Sequence, residues 1–155
     1  MILRAAILSD AVAIRDLVGY YAERGRMLHR SLESVYDHLR DFTVACDDEG
    51  RLIGCVAVDV SFEDLAEVKS LAVAPDLRRS GVGRQLIAAA VDDARRLGVR
   101  RLFALTYEAD FFAAQGFVRI DRMTLPAKVW RECVACPKVD ACDEIAMIRL
   151  LKDVP

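Results

Sequence analysis

The sequence predicts an α/β (α+β) domain built on a mixed, mostly antiparallel sheet with helices on both faces. Two strand-like runs, "FTVACD" and "RLIGCVAVDV", flank the tight turn "DDEG" and form a hairpin. A strand, a helix and another strand follow between residues 65 and 106, which is the order of a βαβ unit. A chain of 155 residues is long enough for one domain with one sizeable core.

One strand and two helices are predicted before the hairpin. "ILRAAI" predicts a short first strand, and apolar residues recur at helical spacing through "AVAIRDLVGYYAER". "SLESVYDHLRD" predicts a second, shorter helix, for which either Ser31 or Ser34 could be the cap.

The clearest helix covers residues 82–97, after a strand "LAEVKSLAVAP" that stops at Pro75. Gly98 follows the last helical residue, as is typical of a helix C-terminus. One apolar stripe runs along this helix through Val82, Leu86, Ala90, Ala94 and Leu97. The remaining elements are, in order, the strand "RRLFALT", the helical turn "DFFAAQ" and the strands "GFVRID" and "DEIAMIRLL".

Composition and charge exclude several classes of protein. Charged residues make up 30% of the chain and the net charge is −2, so no nucleic acid and no membrane surface is expected as a partner. No apolar run approaches the roughly 20 residues of a membrane span, and the apolar start is too short for a signal peptide. The sequence therefore predicts a cytoplasmic protein, whose five cysteines are thiols or metal ligands rather than disulfides.

The loop "DLRRSGVGRQL", residues 76–86, combines glycines and arginines at the start of a helix. A helix start presents unpaired N–H groups and partial positive charge, and glycines let a ligand approach the backbone closely. This combination favours phosphate, although an ordinary strand-to-helix turn with solvated arginines would have the same composition. A Walker loop would need Lys-Ser/Thr after the second glycine, and a dinucleotide fingerprint would need glycine at Leu86, so R-x-x-G-x-G remains.

The stretch "LAVAPDLRRSGVGRQLIAAAV" resembles the acyl-CoA-binding motif of the GNAT acetyltransferase superfamily. The resemblance implies one GNAT acyl-CoA N-acyltransferase domain over residues 1–155, with acetyl-CoA as cosubstrate and no metal required. It implies that amides of the loop hold the pyrophosphate and that the preceding strand pairs with the pantetheine arm. The residues assigned to acetyl-CoA in this way are Leu71, Ala72, Val73, Arg78, Arg79, Ser80, Gly81, Val82, Gly83 and Arg84.

Three further stretches resemble the acetyltransferase domain of N-acetylglutamate synthases, in particular the short, single-domain bacterial form. They are "MLHRSLESVYDHLRDFTVA", "DLAEVKSLAV" and "LFALTYEADFFAAQGF". This resemblance implies transfer of acetyl to the α-amino group of a small-molecule amino acid, with L-glutamate favoured, at the entry to arginine biosynthesis. Many GNAT enzymes dimerise through their last strands, so the wider GNAT resemblance makes a homodimer one possible assembly, which the sequence does not fix.

The acceptor amine must lose a proton before it attacks a thioester, and a carboxylate can take that proton. Family members carry an acid at the strand position of Glu67, which is therefore the expected general base. Arginine binds carboxylate through its planar fork, and Arg30 falls where related synthases carry a basic residue, so it is assigned to the substrate. Strict alternation places Lys69 on the face of Glu67, together with Leu71 and Val73, and Lys69 is a second substrate residue. The alternatives are surface roles: a strand glutamate in an ion pair, a solvated arginine and a surface lysine.

The departing thiolate of CoA needs a proton donor, and Tyr107 and Thr106 are the nearest hydroxyls in the segment where GNAT enzymes often use tyrosine. Tyr107 is the expected general acid, with a packed tyrosine under a loop as the alternative. A backbone N–H of residues 71–73 would stabilise the oxyanion. One departure matters: longer synthases have an arginine after "LTT", where this chain has "YEAD", which leaves room for another amino acid as substrate.

A cysteine-containing segment, residues 126–143, precedes the last strand. Cys133, Cys136 and Cys142 have spacing that suits a metal, but no fourth ligand is evident, so a zinc site, a redox pair and structural thiols all remain open. Cys46 and Cys55 lie in predicted strands and are expected to be buried free thiols.

Two other functions fit the sequence. One is a GNAT acetyltransferase acting on another amine, such as a protein N-terminus, a polyamine or a drug. The other is a non-catalytic, CoA-binding or metal-sensing regulator in which the cysteine segment is the working part.

Overall fold

The computed structural model describes residues 1–130, 143–152 and 154–155. Its described residues form one sheet in the strand order β1-β2-β3-β4-β5-β7-β6, antiparallel throughout except between β4 and β5. The predicted mixed, mostly antiparallel sheet is confirmed. The strands are β1 Ile2–Ala5, β2 Phe42–Cys46, β3 Leu52–Phe62, β4 Leu65–Val73, β5 Arg101–Thr106, β6 Val118–Ile120 and β7 Ile145–Leu150. The helices are α1 Ala11–Ala22, α2 Leu32–Asp37, α3 Val82–Leu97 and α4 Ala109–Ala114.

Helices cover both faces of the sheet, as the sequence predicts. The larger core packs the buried stripe of α3 against one face, and the second core packs α1 and α2 against the other. The stripe prediction is wrong for Leu97, the last residue of α3, which is 58% exposed. The buried stripe of the last turns runs instead through Val91 and Ala94. Ser31 rather than Ser34 caps α2, because the Ser31 Oγ accepts a hydrogen bond from the Ser34 N–H at 3.0 Å.

The two parallel strands separate soon after they begin. β4 and β5 pair only from Leu65 to Glu67 and from Arg101 to Phe103. Beyond these residues β4 remains paired with β3, and β5 remains paired with β7. The sheet therefore opens into a V-shaped cleft, with unpaired strand edges on both sides.

A β-bulge interrupts β4 at the open part of the cleft. The register with β3 shifts between the pairs Ala57–Lys69 and Cys55–Ala72, so two residues of β4 oppose one of β3. Ser70, in the bulge, has a φ of +55°, a left-handed conformation that is uncommon for serine. The bulge inserts one extra residue into the strand, which changes the faces of all the residues after it.

The strict alternation predicted for this strand is therefore wrong beyond Lys69. Leu71 and Val73 pack on the core of α3, which also contains Val68. Glu67 and Lys69 lie on the opposite face, where Ala72 joins the core of α1 and α2. The extra residue is the physical reason, because the side-chain period of a strand is two.

Cys46 and Cys55 are buried free thiols, which confirms the prediction for both. Burial raises the pKa of the Cys55 thiol to about 12, so this thiol is protonated at neutral pH. Within the described part of the chain, no helix combines the length and the apolar character that crossing a membrane requires.

Candidate active site

A cavity with a volume of about 1010 Å³ occupies the opening between β4 and β5. Its walls come from β4, the loop before α3, the connection between α1 and α2, and the segment after β5. The separation of the parallel strands thus creates a site that reaches the middle of the sheet.

The loop between β4 and α3 presents a row of free backbone donors. In the described part of the chain, no protein group accepts from the N–H groups of Arg79, Gly81, Val82, Gly83 or Arg84. Arg79 and Gly81 have left-handed φ angles of +63° and +93°, and these two residues turn the chain into α3. A Cβ added at Gly81 would meet nothing within 4 Å, so this part of the loop is open.

Ser80 has a structural role in the loop, and Gly83 lies beside α4. Ser80 donates both its N–H, at 3.3 Å, and its hydroxyl to the Leu77 carbonyl, so its amide stabilises the loop. A Cβ added at Gly83 would lie 3.4 Å from the Phe111 ring, which places α4 next to the start of α3. Arg78, Arg79 and Arg84 all line the cavity and add positive charge to the helix start.

The end of β4 directs main-chain groups into the cleft. The Ala74 N–H donates to the Ile53 carbonyl at 2.8 Å, whereas the Val73 carbonyl accepts from the Tyr21 hydroxyl at 2.6 Å. Because main-chain groups alternate along a strand, those of Leu71 and Val73 point away from β3 and towards the cleft. Burial raises the pKa of Tyr21, so its hydroxyl keeps its proton for this bond.

Arg30 is a buried arginine with neutral partners. It is 8% exposed, and its Nε donates to the Ser70 Oγ at 2.9 Å. Its Nη1 donates to the Ser34 Oγ at 3.3 Å, and its guanidinium lies 5.2 Å from the centre of the Phe42 ring. No carboxylate of the described residues lies within ion-pair distance of it. The charge of Arg30 also acts on the Asp41 carboxyl, but from beyond ion-pair distance, so the buried guanidinium has no direct anionic partner among the described residues and favours an anionic ligand.

Glu67 and Lys69 both line the cavity and lie on the same face of β4. Glu67 is half-buried at the last position where β4 pairs with β5, opposite Phe103. The side chain of Lys69 is only 11% exposed, and its Nζ lies 3.3 Å from the Asp59 carboxylate. The structure therefore brings the expected base and the expected cation together, with Asp59 orienting the lysine.

Tyr107 lies on the opposite wall, in the segment that follows β5. It is half-buried, and the Arg26 guanidinium lies 5.1 Å from the centre of its ring. Thr106 is buried, and its Oγ1 accepts a hydrogen bond from the Glu108 N–H at 2.8 Å. Both residues line the cavity, but the Thr106 hydroxyl oxygen is already used in the local turn, which leaves Tyr107 as the better-placed hydroxyl of the two.

Sequence reasoning missed two contacts of this cavity. Tyr21 binds the end of β4, and Arg26 and Glu108 form an ion pair of 2.5 Å between two different loops. Arg26 and Glu108 are 82 positions apart in the sequence, so no local pattern could have identified this pair. Among the described residues no group of three or more His, Cys, Asp or Glu side chains could hold a metal, and Cys133, Cys136 and Cys142 lie outside those residues.

Comparisons with known proteins agree with this geometry. The model of the acetyltransferase (GNAT) family matches residues 13–120. An uncharacterized N-acetyltransferase of Chlorobaculum tepidum is 44% identical over 96% of this chain and 95% of that protein. An amino-acid acetyltransferase of Mycobacterium tuberculosis is 35% identical over 84% of this chain and 76% of that protein. The structure of N-acetylglutamate synthase from Neisseria gonorrhoeae, complexed with coenzyme A and N-acetyl-glutamate, is 31% identical with a TM-score of 0.87, over 97% of this chain and 35% of that chain.

The chain therefore belongs to the GNAT acetyltransferase family, which confirms the resemblance carried by residues 71–91. It is an acetyl-CoA-dependent N-acetyltransferase with the GNAT fold. The donor set at the start of α3 fits this cosubstrate, because free N–H groups, a helix dipole and arginines all favour a diphosphate.

Proposed function

We propose that this acetyltransferase acetylates the α-amino group of L-glutamate, at the entry to arginine biosynthesis. The observation that carries the proposal is Arg30, a buried guanidinium that faces the cavity and has only hydroxyl and ring partners. A carboxylate of the acceptor would supply the missing anionic partner in bidentate fashion. The relatives that are named for amino-acid acetylation, and the neighbour solved with N-acetyl-glutamate, support this choice of acceptor.

Acetyl-CoA would supply the activated acetyl group, and the loop before α3 would hold its diphosphate. The amides of Gly81, Val82, Gly83 and Arg84 are the donors for this role, with Arg78 and Arg79 adding charge. The main-chain groups of Leu71 and Val73 that point into the cleft would pair with the pantetheine arm, although the Val73 carbonyl also accepts from the Tyr21 hydroxyl. The N–H groups of the same stretch of β4 are the donors available to a developing oxyanion.

Proton transfer would use groups on the two walls of the cleft. Glu67 would take the proton from the acceptor ammonium, directly or through a water, and Lys69 beside it would attract the acceptor's carboxylate. Tyr107 on the opposite wall would give a proton to the departing thiolate. These three side chains approach one cavity from β4 and from the segment after β5, as direct transfer in a ternary complex requires.

Acetylation of another amine, in a protein N-terminus, a polyamine or a drug, is the competing function. An amino acid carries a carboxylate next to its amine, where the buried Arg30 can bind it. A polyamine and a protein N-terminus have no carboxylate at that position. Membership of an acetyltransferase family favours catalysis over a CoA-binding or metal-sensing regulator.

The test is the release of CoA thiol with a panel of amines: L-glutamate, L-glutamine, spermidine and a short peptide with a free N-terminus. We expect the highest kcat/KM with L-glutamate. Arg30→Gln should lower kcat/KM for glutamate by about 30-fold or more, because it removes one partner of a buried charge pair. Arg40→Gln, which removes an exposed arginine outside the cavity, is the matched control. A higher kcat/KM for spermidine or the peptide would overturn the proposal.

A further inference from the structure

Glu108 binds two arginines at the mouth of the cavity. Its Oε1 lies 2.5 Å from the Nη2 of Arg26 and 4.0 Å from the Nη2 of Arg78. Arg26 belongs to the connection between α1 and α2, Arg78 to the loop before α3, and Glu108 to the segment after β5. The carboxylate therefore links three segments that surround the cleft, and its side chain is 50% exposed.

The cations of the cavity differ in whether they already have an anionic partner. Lys69 is paired with Asp59 at 3.3 Å, whereas Arg30 has neutral partners only among the described residues. Arg26 is paired with Glu108. Arg30 and Lys69 can together bind one carboxylate of an acceptor, but a second carboxylate needs another cation.

Arg26 is placed to be that cation, because it lines the same cavity as Arg30 and its guanidinium lies beside the Tyr107 ring. To reach it, the second carboxylate must replace Glu108. Such an exchange is inexpensive because both side chains of the pair are about half-exposed, and exposed ion pairs contribute little. Arg78 is close enough to retain the displaced carboxylate.

We propose that Glu108 is a specificity-determining residue that competes with the side-chain carboxylate of an acidic acceptor for Arg26. The inference rests on the proposed function, since it takes an acidic amino acid as the acceptor. Glu108 then weakens the binding of glutamate, while an acceptor with a neutral side chain, such as glutamine, leaves the ion pair intact.

The variant Glu108→Gln removes the competing charge and keeps the shape of the side chain. We expect the KM for L-glutamate to fall roughly two- to fivefold, the range that an exposed ion pair supports, while the KM for L-glutamine stays the same. Arg26→Gln should raise the KM for glutamate and leave the KM for glutamine unchanged. Glu49→Gln makes the same charge change in the exposed turn between β2 and β3 and should alter neither constant.

An unchanged ratio of the two KM values in Glu108→Gln, or a higher KM for glutamate, would overturn the inference. Failure of the proposed function is a separate result, namely no acetylation of glutamate by the wild-type protein. In that case the inference is tested by calorimetric titration with glutarate, a dicarboxylate without an amine. This experiment measures binding and does not depend on catalysis. Tighter binding of glutarate to Glu108→Gln than to the wild type supports the competition, and equal or absent binding in both contradicts it.

Discussion

The charged side chains of the cleft differ in how much contact with water they keep. Arg30 is 8% exposed and the side chain of Lys69 is 11% exposed, whereas the Arg78 side chain at the mouth is 61% exposed. Buried charges interact strongly with a bound anion because less water screens them, while exposed ones mainly attract anionic ligands from solution. The buried Arg30 and Lys69 should therefore determine how tightly the acceptor is bound. The exposed arginines should determine how quickly anionic ligands arrive.

Glu67→Gln tests the proposed general base at the scale of a residue. The amide keeps the size of the side chain but cannot take a proton, so kcat should fall on the order of 10²–10⁴-fold. Steady-state assays of thiol release measure the change, with Glu63→Gln in the exposed turn between β3 and β4 as the matched control. A rate within tenfold of the wild type, at an unchanged melting temperature, would assign the proton to another group.

Two elements converge on the site, and each departs from regular geometry where it meets the cleft. β4 carries the bulge at Ser70, which is also the hydroxyl that accepts from Arg30. α3 starts directly after Gly81, whose φ of +93° lets the loop turn with its amides exposed. The irregular backbone of both elements thus orients groups that regular strands and helices would turn elsewhere.

Gly81→Ala tests the role of the loop at the scale of an element. An L side chain at a φ of +93° is strained by roughly 1–2 kcal/mol, and relief of that strain would turn the loop amides away from the diphosphate. Gly50→Ala is a close control, since Gly50 has a φ of +82° and also has nothing within 4 Å of an added Cβ, but lies in the turn between β2 and β3. Both variants should lose a similar free energy of unfolding in denaturant titrations. Only Gly81→Ala should bind CoA more weakly by calorimetry, and equal affinities in the two variants would contradict the assignment of the loop.

At the scale of the whole molecule, a seven-stranded sheet among the described residues holds the cleft open between two packed faces. The parallel strands β4 and β5 are neighbours in the middle of the sheet. Their separation therefore creates a deep site, while the hydrophobic cores on the two faces of the sheet stay buried. The extent of the domain over residues 1–155, a cytoplasmic location and a homodimer remain predictions.

Stability at low pH should depend on Asp10, which joins the edge strand β1 to the start of α1. Its carboxylate accepts from Arg4 at 2.7 and 3.0 Å and from the Ile7 N–H at 2.8 Å. These bonds, the one from Arg4 above all, lower the pKa of Asp10 in the folded state. Because the folded pKa lies below the unfolded value near 3.8, the stabilisation is complete above that pH and is lost as the pH falls through the folded value.

Asp10→Asn should therefore lower the free energy of unfolding at pH 7 by about 1.5–3 kcal/mol, the range for a hydrogen-bonded charge. The difference from the wild type should shrink as the pH falls below about 4. Urea titrations between pH 7 and pH 3 measure both effects. Asp76→Asn, which breaks the exposed pair with Arg51, should change stability little, and a difference for Asp10→Asn that stayed constant down to pH 2 would contradict the role of ionisation.

By itself, the sequence determined the fold class and the family, and it predicts the phosphate-binding loop, because each depends on residues that are close together in the chain. The hairpin, the stripe of α3 and the run of residues 71–91 all carry their signal within a few turns or one strand. Glu67 and Lys69 were also placed on one face correctly, since only one residue separates them and the bulge comes later.

Only the tertiary structure decided how the cleft is completed. Three of its features join groups that are 40 or more positions apart in the sequence: the Arg30–Ser70 contact, the Tyr21–Val73 hydrogen bond and the Arg26–Glu108 pair. The fourth feature is the bulge at Ser70. The bulge is a matter of register between β3 and β4, which no local preference specifies. Such contacts form only once the sheet and both helical layers have packed, and their geometry therefore follows from the packing rather than from any local pattern of residues.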